Sequence, residues 1–155
     1  MAVYDRKING ADSWDTHGNN FAMLKDSLLP PADQGLAALV EDLADRGLID
    51  STLVVALGEF GRTPRVNANA GRDHWPFCYH AVLAGGGAQG GAVFGSSDSQ
   101  GAHPDSHPVT PADIAATVFW RFGLDPASEI SDRTGRPYRL ADGQPIRSLF
   151  GVSES

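Results

Sequence analysis

The residues of this chain whose types and spacing can do chemistry fall in two short clusters, Trp14-Asp15-Thr16-His17 and Gly71-Arg72-Asp73-His74-Trp75-Pro76. Between them an apolar run ends in Gly58-Glu59-Phe60-Gly61-Arg62-Thr63-Pro64. Imidazole nitrogen binds zinc, iron and copper, and carboxylate oxygen adds charge and hardness to such a site. If the fold gathers the three segments, Asp15, His17, Glu59 and His74 form a mixed nitrogen and oxygen site for a divalent metal.

Each residue also has a plainer reading. Asp15 and His17 are two apart, so in an extended segment both side chains face the same way and one ion can take both; otherwise Asp15 caps a turn and His17 is a surface histidine. Glu59 and Arg62 follow directly after an apolar strand, and ligands of open α/β sheets bind beyond the carboxyl ends of strands; otherwise the two pair across a turn. Asp73 can orient a ligand imidazole, while His74 can simply pack on Trp75. Arg62 and Arg72 offer planar forks for anionic oxygens. His103 and His107 are four apart, but Pro104 and Pro108 exclude a helix there, so both read as loop residues. His80 reads as structural. Gly85-Gly86-Gly87 is not followed by Lys-Ser/Thr, so the phosphate-loop pattern is absent, and no Gly-x-Ser-x-Gly elbow supplies a triad nucleophile.

The chain of 155 residues is long enough for one domain with a core. Lys and Arg number 12 against 19 Asp and Glu, a formal charge of −7. Nucleic acid is not the expected partner, because phosphate binding wants a basic face. No apolar run approaches the ~18 residues of a membrane span, and no charged-then-apolar leader opens the sequence. The single cysteine, Cys78, excludes an intrachain disulfide and reads as an inert buried residue.

The elements that must position the clusters are legible in part. Ala2-Val3-Tyr4 reads as the tail of a strand. Pro30-Pro31 reads as a helix start, since proline is favoured just inside one. Leu36, Leu39, Val40 and Leu43 then form a one-faced stripe, and Gly47 is a stop, predicting a helix over 32–46. Thr52 to Leu57 is continuously apolar, the pattern of a strand covered on both faces in a parallel sheet. A second strand is expected at 78–84. The segment 85–108 reads as a long functional loop with a short strand at Val93-Phe94. Thr110-Pro111-Ala112-Asp113 predicts a capped helix ending near Phe122. Residues 124–155 read as loop with apolar anchors at Ile146, Leu149 and Phe150.

Trp14-Asp15-Thr16-His17-Gly18-Asn19-Asn20, Gly58 to Pro64 and Gly71 to Trp75, in this order and spacing, resemble a sulfatase-like bacterial family of unknown function placed in the alkaline phosphatase superfamily. Leu83 to Gly87 and Val109 to Asp113 are similar to it as well. The resemblance implies an α/β fold, part of a three-layer α/β/α sandwich with a mostly parallel sheet, holding one or two divalent metals, zinc foremost. Asp15, His17 and His74 match one ligand set. Where a second metal typically takes an Asp-His pair, Glu59-Phe60 stands, so a histidine is missing there. Relatives are about three times longer, and this chain resembles their C-terminal third, without the nucleophile of their N-terminal part. Relatives are often exported. The expected activity is metal-dependent hydrolysis of a small phosphate or sulfate ester. The alternative is a truncated fragment or metal-binding module without hydrolase activity, prone to self-association.

Overall fold

The computed structural model describes residues 14–153; the strand expected at Ala2-Val3-Tyr4 lies outside them. A helical segment opens the described chain: α1 (Asn20–Met23), one wide π turn (Leu24–Leu28) and α2 (Leu29–Asp45). The helix therefore begins well before the two prolines that were expected to start it. Proline lacks the N–H that would bond four residues back, and its ring pushes that carbonyl away. Widening the preceding turn to i→i+5 spacing takes the chain past Pro30 and Pro31 without ending the helix. Its C-terminus is as the sequence predicts. Gly47 is left-handed (φ 68°), its N–H bonds Ala44 O at 2.9 Å and Leu48 N–H bonds Leu43 O at 2.8 Å, the paired bonds of a glycine stop.

The expected parallel three-layer sandwich is not what forms. β1 (Leu53–Leu57) and β4 (Ala81–Gly85) pair antiparallel, Leu53 opposite Gly85 and Leu57 opposite Ala81. Three more two-stranded antiparallel sheets follow: β2 (Gly61–Arg62) with β3 (His74–Trp75), β5 (Ser96–Ser97) with β6 (Pro104–Ser106), and β7 (Glu129–Ser131) with β8 (Pro137–Arg139). The physical reason lies in the connection. Parallel neighbours need a crossover, usually a helix, and residues 58–80 between β1 and β4 hold the small β2–β3 ribbon instead. The apolar run was read as buried on both faces, yet Ala56 and Leu57 are exposed.

No strand forms at Val93-Phe94; Val93 is 90 % exposed and the short strand comes at Ser96. The tail, read as loop, carries the β7–β8 hairpin and a 3-10 turn over Arg147–Phe150. Cys78 is half-buried rather than buried. His80 lies exposed just ahead of β4.

The best-packed part is α3 (Pro111–Arg121), whose Thr110 and Asp113 close the expected reciprocal cap. Asp113 Oδ1 also accepts Gln144 N–H at 2.7 Å, and buried Thr117 accepts Ile146 N–H at 2.9 Å. Among the described residues, Leu28, Ala116 and Ile146 have buried side chains. In α2 no residue is buried: Leu36, Val40 and Leu43 are half-buried and Leu39 is exposed. No described helix is long and apolar enough to cross a membrane.

Candidate metal centre

Two stretches of loop, 15–20 and 67–72, lie against one another and bring the sequence clusters together. Gly18 and Ala70 form an antiparallel bridge, Asn19 N–H and Asn20 N–H bond Asn69 O and Ala70 O, and Arg72 N–H bonds Thr16 O. The approach is close enough that a Cβ on Gly71 would overlap His17 O, which is why glycine stands there. Ala70 takes a left-handed backbone (φ 54°) to complete the turn. Asp15 and His17 converge through a turn, His17 N–H to Asp15 O at 3.0 Å, rather than through the extended segment their spacing suggested. Thr16, between them, is buried and its hydroxyl donates to Asn20 Oδ1 at 2.6 Å.

β3 delivers His74 to the same point. Asp15 Oδ1 lies 2.8 Å from His74 Nε2 and 3.0 Å from His17 Nε2, and the two nitrogens are 3.2 Å apart. Asp15, His17 and His74 thus present three ligand atoms to one point. Their side chains are 43 %, 45 % and 46 % exposed, so one side of the triangle faces water. The Phe60 ring lies on the His74 ring at 4.1 Å and limits the positions the imidazole can take.

The carboxylates are held ionised. His74 hydrogen bonding, then that of Arg62 at 2.8 Å, lowers the Asp15 pKa to about 2. Asp73 Oδ1 meets His17 Nδ1 at 2.7 Å and accepts from Asn67 Nδ2 at 3.1 Å, and these two bonds, His17 first, lower its pKa as well. The Asp73 carboxylate on Nδ1 fixes the His17 ring so that Nε2 faces Asp15 and His74.

The donor set fits zinc. Two imidazoles and one carboxylate with one open position are the ligands of catalytic zinc sites, and bonds of ~2.0–2.1 Å in a tetrahedron put ligand atoms about 3.3 Å apart. The observed separations come close to that value. The carboxylate on the far nitrogen of His17 is the usual orienting partner of a ligand imidazole.

The remaining sequence candidates are placed differently. Glu59 is exposed, and among the described residues it has no hydrogen-bond or ion-pair partner; its ligand atoms do not belong to the triangle. Arg62 and Arg72 are engaged with the main chain. Arg62 donates to Trp14 O, Arg72 O and Asp15, while Arg72 donates to Thr63 O and Arg62 O, so the pair laces β2 to β3. His103 packs against Trp75 and Phe77, and His107 against Phe94, away from the triangle. Sequence reading missed Asn67 and Thr63, and took Phe60 only as the absence of a histidine. Only Asn67 carried a signal: an asparagine shortly ahead of a glycine in a loop is a turn-former whose side chain binds nearby N–H groups.

Residues 2–150 match the model of one family, described as a protein of unknown function (DUF1501). No curated protein and no solved structure matches the chain.

Proposed function

We propose a function from one premise: the chain belongs to the DUF1501 family. Asp15, His17 and His74 hold one divalent cation, zinc by the nature of the donors. The chain acts as the metal-ligand part of a metal-dependent hydrolase of small phosphate or sulfate esters. The observation that carries the reading is the triangle of ligand atoms with no edge longer than 3.2 Å, backed by a second carboxylate on His17. The motif resemblance to the alkaline phosphatase superfamily supports the ester class; its three-layer fold is no part of the proposal. The cation would act as a Lewis acid toward a phosphoryl or sulfuryl oxygen. Asp15 supplies the anionic ligand, with Arg62 holding its oxygen in place, and Asp73 orients His17. The exposed face admits a substrate.

A second reading is a metal-binding module without hydrolase activity. It is favoured by the hydroxyls around the site, since Thr16 donates to Asn20 and Thr63 to Arg65 O. Neither stands ready as a nucleophile.

The test is metal content of the dialysed chain by mass spectrometry, beside a His17→Ala, His74→Ala double variant. About one equivalent in the parent and none in the variant is the expected result. Loaded protein is then assayed on 4-nitrophenyl phosphate and 4-nitrophenyl sulfate. Turnover lost with the metal supports the hydrolase, and binding without turnover favours the module. An empty parent sinks both.

A further inference from the structure

We propose that the outer edge of β1 pairs with the same edge of a second copy of this chain, joining two β1–β4 sheets into one four-stranded antiparallel sheet; the proposal stands apart from the metal reading. In a two-stranded sheet each strand gives the main-chain groups of alternate residues to its partner and turns the others outward. Among the described residues, no N–H or C=O of 53–57 bonds anything outside β4. Edge strands are normally guarded by lysine, proline, a bulge or an inward charge. Leu53-Val54-Val55-Ala56-Leu57 has none of these, and its register with β4 is unbroken. Neither 52–58 nor 81–87 holds a charged residue, the depletion that marks the core of an interface. Ala56 and Val82 stand directly opposite, on one face, and both are exposed, as is Leu57. β4 offers the poorer edge, because Gly85, Gly86 and Gly87 all take positive φ (72°, 57° and 83°) and turn the chain out of the extended path.

The strand is complementary to itself. A two-fold axis at Val55 sets that residue against its own copy, Leu53 against Leu57 and Val54 against Ala56. At the flanks Glu59 meets Ser51 and Asp50 meets Phe60, so no acid opposes an acid, which a chain of net charge −7 requires of a self-contact. The accessible surface of 10,768 Å² exceeds that of a folded monomer of 16.4 kDa by more than the roughly 800 Å² that each partner contributes to a standard interface. With the same edge on both sides the contact is isologous and closes on itself, giving a dimer rather than a filament.

Light scattering of the full chain over a concentration series is expected to reach twice 16.4 kDa and stop there. Over the same series, hydrogen–deuterium exchange read by NMR slows at the outward-facing amides of 53–57 and stays unchanged in 81–85. Leu57→Lys, at a side chain 55 % exposed, adds the guard that this edge lacks. It is expected to hold the mass at 16.4 kDa at every concentration. A parent of constant monomer mass overturns the proposal, and so does a mass that climbs past the dimer. Association that leaves exchange at 53–57 unchanged overturns it too, because the contact then lies elsewhere. An undiminished dimer of Leu57→Lys with folded circular dichroism has the same force. If that variant loses its fold, the exchange data on the parent decide.

Discussion

At the scale of single residues, the site depends on where protons sit. Asp15 has a folded pKa near 2 against 3.8 for a free carboxyl. A depressed pKa contributes stability that is present above the ordinary carboxylate range and disappears as pH falls from about 4 toward 2. Asp73 acts in the same direction. Melting temperatures of the metal-free chain between pH 6 and 2 are expected to drop across that window, and to drop less in Asp15→Asn. Solvent screening at these exposed side chains keeps the effect small. Asp15→Asn also removes the anionic ligand, and zinc affinity is expected to fall by more than the 10–100-fold typical of an outer partner, read by chelator competition. Asp15, His17, His74 and Asp73 were all legible as chemistry-bearing types. Asn67 was legible only as a turn-former; its bond to His17 O, 50 residues away, is set by the folded loop.

At the scale of elements, two loops rather than two long strands build the site. Gly71 permits the approach of 67–72 to 15–20. Gly71→Ala forces these main chains apart and is expected to cost about 1–3 kcal/mol, the range for overpacked sites, with loss of metal binding; urea titration and metal content report the two effects. Ala70→Gly relieves the left-handed strain at φ 54° and is expected to stabilise by up to about 1 kcal/mol with zinc binding retained. The same urea titration checks it. Helix ends were readable because caps are local: Gly47 and the Thr110–Asp113 box stand where the sequence puts them. The helix start was misread at Pro30 because the π turn ahead of it depends on how the preceding segment is already wound.

For the whole molecule, surface area is the informative quantity. The accessible surface is 10,768 Å², against roughly 7,500 Å² expected of a folded monomer of 16.4 kDa. Even with residues 1–13 and 154–155 counted as fully exposed chain, an excess of roughly 1,500 Å² remains. Leu39, Leu57 and Val82 are among the large apolar side chains exposed on α2, β1 and β4. Self-association is the expected consequence, seen by light scattering as a mass above 16.4 kDa that rises with concentration. A constant monomer mass would show that water tolerates this surface.

The amino-acid sequence by itself determined the local features: the chemical types at the site, the acidic balance, the existence of the strands near 53–57 and 81–85, and the capped ends of the helices. These follow from side-chain chemistry and contacts a few residues apart. Tertiary structure alone decided that β1 and β4 run antiparallel, that Arg62 and Arg72 lace the β2–β3 ribbon, and that Asp15, His17 and His74 meet while Glu59 stands aside. An apolar run carries no direction for its partner strand, and a guanidinium binds a carbonyl as readily as an anion. Which of these it meets depends on residues tens of positions away, and only the folded chain sets those distances.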